Sequence, residues 1–238
     1  MFILLLASGL TVSPILASSL HGVIAAFIGF RWGLAPWWLP INLLFMPAVL
    51  LTLSFDIAPL WFLSAFILFL LAYWSVFRSQ VPLYHSSRKA WAAVAELLPR
   101  KPGVRLLDVG AGLGGMLGYL SRKRPDGTFY GMEIAPLPFV FAWLRRKVVR
   151  GGYQIRWGDF WAHSFVAYDV IYAYLSPVPM ARIWVKACME MAPGTRFISN
   201  SFPILEAVPE KIIDLDDFHH SRLYIYRIPA RQPAGEAS

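Results

Sequence analysis

Residues 108–115, Asp108-Val109-Gly110-Ala111-Gly112-Leu113-Gly114-Gly115, set a carboxylate just ahead of four glycines, between an apolar run and a helical pattern. Glycines at a strand-to-helix turn let backbone N–H groups approach a ligand at the helix N-terminus. The spacing admits two chemistries. Gly110, Gly112 and Gly115 follow the dinucleotide pattern G-x-G-x-x-G, whereas Gly110, Gly112 and Gly114 follow the G-x-G-x-G of methyl-donor sites. Three acidic positions break the tie. Asp108 puts a carboxylate at a strand's carboxyl end, where a ligand carrying an ammonium and a sulfonium is stabilised and a pyrophosphate is repelled. Glu133, at the end of the second strand, is placed to accept from ribose hydroxyls, a role either ligand would use. Asp159, just past the third strand, can accept from an adenine amino group. A plainer reading makes the glycines a tight corner and the acids helix N-caps. Their joint register after successive strands favours the ligand site.

Other reactive side chains say less. Ser176, with Pro177, follows the fourth strand, where a hydroxyl or carbonyl oxygen could accept from an incoming substrate. Tyr84 and His85 would line an acceptor channel or else cap the helix that follows. His21 lies in an apolar run and is read as a neutral imidazole bonded to backbone. His219 and His220, beside Asp214, Asp216 and Asp217, have no third ligand at a characteristic spacing, so no metal is expected. Cys188, the one cysteine, is read as core and can form no intrachain bridge.

The elements that position these residues are legible in the periodicity. Strands are expected at 104–109, 128–132, 153–157, 168–174 and 195–201, with helices at 90–98, 113–122, 137–149 and 178–191 between or before them. Residues 211–215 and 221–228 read as a terminal antiparallel pair. This alternation predicts an α/β fold: a Rossmann-like, doubly wound, mostly parallel seven-stranded sheet with an antiparallel edge. Residues 229–238 read as a frayed tail.

The rest of the chain has a different physics. At 57% hydrophobic and 15% charged, its 238 residues are greasier than soluble domains, which carry about 25% charged residues. Only Arg31 and Asp56 carry formal charge within residues 1–77. Crossing a bilayer takes about 20 apolar residues, and the charge-free runs predict spans near 8–30, 34–54 and 57–77. Residues 1–77 are therefore read as an all-α transmembrane anchor, 78–228 as the sheet domain. A cleaved signal peptide over 1–19 is disfavoured by the absence of Lys or Arg at its start. Splitting 2–30 at Ser13-Pro14 would give a fourth span. Arg78, Arg88 and Lys89 after the last span put the sheet domain on the cytoplasmic side, with Trp32, Trp37, Trp38 and Trp74 in the interfacial belts. The net charge of +8 gathers at Arg145, Arg146, Lys147 and Arg150 and at Arg122-Lys123-Arg124. Nucleic acid would suit such clusters; with spans attached, anionic membrane lipids are the simpler partner.

On these residues the chain resembles the class I S-adenosyl-L-methionine-dependent methyltransferases. More narrowly, it resembles the membrane-anchored protein-lysine methyltransferases of the ATP synthase c subunit and the adenine nucleotide translocase, with their bacterial relatives. The resemblance covers 79–228 and rests on Val81-Pro82, Asp108 to Gly114, Gly131-Met132-Glu133 with Pro136, Asp159-Phe160-Trp161, Leu175-Ser176-Pro177 and Ser201-Phe202-Pro203. It implies S-adenosyl-L-methionine as cofactor, held by Asp108, Gly110, Ala111, Gly112, Gly114, Glu133, Asp159 and Phe160. It also implies an acceptor side formed by Ser176, Pro177 and Tyr84, and a membrane-protein substrate. Leu113 and Gly115 replace the family's usual Asp and Arg, and Leu83 its usual Tyr, which bears on the substrate. Ser176 stands outside the Asn/Asp-Pro-Pro-Tyr pattern of nucleic-acid amino-methylating enzymes. A lipid or quinone acceptor and a non-catalytic binding module are the alternative functions. The expected location is the bacterial plasma membrane.

Overall fold

The structure, a computed structural model, describes residues 13–55, 57–73, 84–149 and 152–230. It divides into a unit ending at Ala65 and a unit from Phe66 onward.

In the first unit, helix α1 (Pro14–Arg31) packs on α2 (Trp38–Ser54). Pro14 opens α1, where its missing N–H costs no helical bond, and Arg31 lies in the last turn, where a cation meets unpaired carbonyls. The buried face of α1 is made of small residues, Ala17, Ser18, Gly22 and Gly29. A Cβ on Gly22 would collide with the Leu43 carbonyl oxygen, so the two backbones touch there. Such close approach is how helices associate where lipid removes the hydrophobic drive. Helix α3 (Pro59–Ala72), which runs across the division between the units, leaves Leu60, Trp61, Phe62, Phe66 and Phe69 exposed.

Helices α2 and α3 fall inside the expected stretches 34–54 and 57–77, whereas α1 runs one residue past 8–30 to end on Arg31. Among the described residues α1, at 18 residues, is the one helix long and apolar enough to cross a membrane; α2 and α3 have 17 and 14 residues. Asp56, Trp74, Arg78, Val81-Pro82, Leu83 and Arg150 lie outside the described residues.

In the second unit, helix α4 (Arg88–Leu97) starts at Ser87, whose hydroxyl caps the Ala90 N–H at 3.1 Å. Then follow β1 (Arg105–Val109), α5 (Gly115–Lys123), β2 (Thr128–Glu133), α6 (Pro136–Val148), β3 (Tyr153–Trp157), a 3₁₀ turn (Phe160–Ala162) and β4 (Val170–Ala173). Helix α7 (Met180–Glu190) and strands β5 (Arg196–Asn200), β6 (Lys211–Asp214) and β7 (Arg222–Arg227) complete it. The sheet order is β3-β2-β1-β4-β5-β7-β6. β1 to β5 are parallel, and β7 runs antiparallel between β5 and β6. The doubly wound, seven-stranded α/β reading thus holds, with element ends shifted by a residue or two. The antiparallel member is one place in from the edge, because β6 crosses over it.

Alternation along β1 feeds two cores. Leu106 faces the layer built with Val94 of α4, Leu117 of α5 and Ala142 of α6, whereas Leu107 and Val109 face Ile183 and Ala187 of α7. Asp108, on the same side as Leu106, is therefore carried inward beneath the helices. The order reverses between β1 and β4, and a ligand crevice forms outside the strand ends at such a reversal.

Candidate functional site at the ends of β1, β2 and β4

The glycine loop is clamped to β2. Gly110 N–H and Ala111 N–H both donate to the Met132 carbonyl, at 3.0 and 2.9 Å. Gly110 sits at φ +98°, open to glycine and strained for other residues, and a Cβ there would press on Leu175 at 3.0 Å. Gly131, opposite Asp108 in the ladder, admits no side chain either: a Cβ would come within 2.6 Å of both Ala111 and Leu117.

Glu133 splints the loop. Its Oε2 accepts from Gly112 N–H at 2.7 Å and its Oε1 from Ala135 N–H at 2.8 Å, joining the glycine turn to the entry of α6. The carboxylate is buried, and burial raises its pKa against the pull of these amides. The Ile134 amide adds to that pull.

Asp108 is the most perturbed acid. Burial, and then the negative charge of Glu133, push its pKa up to about 8. Tyr172 pairs with it across the β1–β4 ladder and is likewise buried. Burial first, then Asp108, keep the Tyr172 phenol protonated well above its ordinary range. Asn200 Nδ2 donates to the Tyr172 hydroxyl at 2.9 Å, and Ser201 Oγ donates to Asn200 Oδ1 at 3.0 Å. A polar line thus runs under the strand ends from β1 through β4 to β5.

Above it lies a cleft of about 120 Å³ whose walls include Asp108, Gly110, Gly112, Arg145, Tyr172 and Tyr174. Tyr84, His85 and Trp91 close one side. Tyr84 stacks on Tyr174 with ring centroids 4.9 Å apart and leans on Phe202 at 5.5 Å. Trp91 Nε1 is held by Ser86 Oγ at 2.7 Å.

The expected residues therefore separate into groups. Asp108, Gly110, Ala111, Gly112 and Tyr84 line one cleft; Gly114 caps α5 at its rim, and Glu133 supports it from behind. Asp159 accepts from Trp161 N–H at 3.0 Å and caps the 3₁₀ turn that contains Phe160, the plainer of its two roles. Ser176 is buried and Pro177 exposed just beyond Leu175, and neither lines the cleft. Among the described residues no cluster suits a metal ion. Sequence reasoning passed over Tyr172, Tyr174, Asn200, Trp91 and Arg145. The first two were signalled by the alternation of Tyr172-Ala173-Tyr174.

A cradle that excludes Cβ atoms, a buried acid, a guanidinium on the cleft wall and the N-terminus of α5 suit a zwitterionic amino-acid group. The cleft is smaller than the roughly 300–1,000 Å³ of whole-ligand pockets, so a larger ligand would continue outward past Glu133.

Comparison with known proteins agrees with this geometry. Residues 108–211 match the family model of the ANTKMT methyltransferase domain. No curated protein sequence matches the chain. Among solved structures, an RNA methyltransferase from Salinibacter ruber in complex with S-adenosyl-L-homocysteine is 21% identical with a TM-score of 0.58, covering 65% of this chain and 100% of its own. S-adenosylmethionine-dependent methyltransferases from Geobacter sulfurreducens and Thiobacillus denitrificans are 19% and 20% identical, with TM-scores of 0.45 and 0.43. Each covers 56% of this chain, which spans 53% and 54% of theirs. Over residues 108–211 the sheet domain is thus similar to the ANTKMT methyltransferase domain, and its seven-stranded fold is the one shared with the Salinibacter ruber structure.

Proposed function

We propose that this chain is a membrane-anchored methyltransferase that moves the methyl group of S-adenosyl-L-methionine to a lysine amine of a membrane protein close to the bilayer. The observation that carries the cofactor is the pairing of Asp108 with the glycine cradle in one cleft. Asp108 would hold the amino group, Arg145 the carboxylate and Glu133 the ribose hydroxyls, with Asp159 and Phe160 toward the adenine. The bound donor supplies a methyl group on a sulfonium sulfur, which an amine lone pair displaces in line, the electron pair of the broken bond staying on sulfur. The protein's own tasks are alignment and exclusion of water.

A lysine acceptor must arrive neutral, and at a pKa of about 10.4 only roughly a thousandth is neutral near pH 7.4. The stacked Tyr84 and Tyr174 with Phe202 form an apolar approach to the cleft, where the neutral amine is favoured over the ammonium. Tyr172, held protonated, would supply a neutral polar group on the acceptor side. The 18-residue apolar α1 and the exposed apolar surfaces of α2 and α3 support the anchor, and the family match supports the lysine. The cationic stretch after the helices favours a cytoplasmic sheet domain.

Labelled methyl donor, the full chain and membranes, followed by separation of protein from extractable lipid, test this reading. Label on protein lysine is the expected result. Label in extracted lipid would replace the acceptor by a lipid or quinone, and no transfer by a protein that binds S-adenosyl-L-homocysteine would leave a binding module.

A further inference from the structure

Helix α6 packs on β2 and β3 with Pro138, Phe139 and Ala142, joined by Val149 at its end and by α4 and α5 in the same layer. It nevertheless carries a second apolar face. Phe141, Leu144 and Val148 are 53%, 46% and 84% exposed, and their i, i+3, i+7 spacing sets them in one stripe pointing away from the core. A helix packed on a soluble core normally shows polar residues there.

The flanks of this stripe are cationic. Arg145, Arg146 and Lys147 occupy the last turn, all exposed, and from Pro136 to Val149 the sequence has no acidic residue. Lys147 Nζ lies 3.8 Å from the centroid of the Trp143 ring, an ammonium laid on an indole as at a membrane interface. Between the end of α6 and the start of β3 a hollow of about 520 Å³ is lined by Trp143, Arg146, Lys147 and Gln154, with the sign and size for a phosphate-bearing headgroup.

We propose that the outward face of α6 is a lipid-docking surface. Its apolar stripe enters the headgroup–acyl boundary of an anionic bilayer, and its cations pair with the phosphates. Anionic lipid is the occupant that satisfies both chemistries. Nucleic acid would meet the cations and leave Phe141, Leu144 and Val148 without an apolar partner. A second copy meeting the same face would set three cations against three. Amphipathic helices with aromatic and cationic residues in this arrangement lie in the interface plane. The inference rests on the membrane reading above and extends it from the N-terminal helices to the sheet domain. Arg145 also borders the glycine-loop cleft, so docking through α6 would bring headgroups within one side chain of the site.

The test uses the full chain with Cys188→Ala as background and a nitroxide at Val148→Cys. The protein is reconstituted in vesicles of phosphatidylcholine alone or mixed with phosphatidylglycerol. A second preparation carries the label at Phe27→Cys in α1. Access to dissolved oxygen and to a water-soluble nickel chelate reads depth. The expected result is a Val148 label shielded from nickel in the mixed vesicles and open to it in phosphatidylcholine. Arg146→Gln with Lys147→Gln should shift that partition about 25-fold toward water, at roughly fivefold per cation. A Val148 label in water with the Phe27 label in lipid would overturn docking and leave the anchor standing. Both labels in water would overturn the membrane reading itself. Equal immersion in both vesicles would overturn the role of the cations, and dipolar broadening between labels would assign the face to a second copy. Should Val148→Cys lose its near-ultraviolet dichroism, Phe141→Cys carries the label instead.

Discussion

The N-terminal helices and the sheet domain bury opposite kinds of residue. Between α1 and α2 the hidden residues are Ala17, Ser18, Gly22 and Gly29, and the large ones, such as Phe27 at 63% and Trp61 in α3 at 71%, stand exposed. In the sheet domain the hidden residues are the large ones, with Phe129, Tyr153, Phe165 and Phe197 all at 1% or less. Water drives the second arrangement, since burying a large side chain removes the most apolar surface. It does not account for the first, which leaves that surface outside; close contact between small residues in a non-aqueous surround is what the proposed membrane anchor would supply. The two parts thus present opposite surfaces, and α6 of the sheet domain also leaves a stripe of large apolar residues exposed.

The sharpest test sets Phe129→Ala beside Phe27→Ala. The former should cost about 3–5 kcal/mol as a core cavity, and the latter under about 1 kcal/mol, by denaturant unfolding of the detergent-solubilised chain. Equal costs would mean that the helices form a water-driven core with some other element. Next in size is the site itself. Asp108→Ala should weaken S-adenosyl-L-homocysteine binding roughly 10- to 100-fold, from the ~1.5–3 kcal/mol of a charge-assisted bond. The same change should leave the melting temperature of the free protein unchanged or higher, because a buried carboxylate is removed. Calorimetric titration checks the first and a thermal melt the second.

Overpacking separates the parts in another way. Gly131→Ala should cost roughly 1–3 kcal/mol and loosen the glycine loop, since its Cβ meets Ala111 and Leu117 at 2.6 Å. Gly22→Ala should part α1 from α2 while leaving ligand binding intact, read by crosslinking between the two helices. A further test varies pH. The Asp108 pKa rises on folding from about 3.9 to about 8, so the folded state binds the extra proton. That contribution is full below about pH 4 and fades as pH rises through 8. The free protein should therefore melt at progressively lower temperature from pH 5 to 8, and Asp108→Asn should flatten the trend. Acids whose pKa is lowered, such as Glu190 and Asp217, lose their contribution only as pH falls toward and below about 4, outside that window. A cationic ligand reverses the sign, tightening as pH rises and releasing a proton.

Much of this could be read from the chain because it is local. Strand and helix alternation from Val104 to Arg227 is a matter of period. The left-handed backbone of Gly110 and Gly114 is written in residue type, and the charge-free runs before Asp56 and before Tyr73 mark the helices. The site was half legible for the same reason. Asp108 and Glu133 end strands and could be placed by counting, whereas Tyr172, Asn200 and Arg145 come from elements that counting along one strand does not join. Asp159 could be located but not assigned, since a cap and a ligand contact ask the same of a carboxylate after a strand.

By itself, then, the sequence determined the division into a nearly charge-free segment and a charged one, the order of the elements and the glycine cradle, all properties of neighbours in sequence. Tertiary structure alone decided that β1 lies between β2 and β4, so that Gly131 and Tyr172 flank Asp108. It also decided that Glu133 spends one oxygen on Gly112 and the other on Ala135, that Tyr84 stacks on Tyr174, and that Phe141, Leu144 and Val148 point outward. Each of these depends on which surfaces meet across the fold. Burial, which moves the Asp108 pKa and exposes the α6 stripe, is a property of those meetings rather than of any residue.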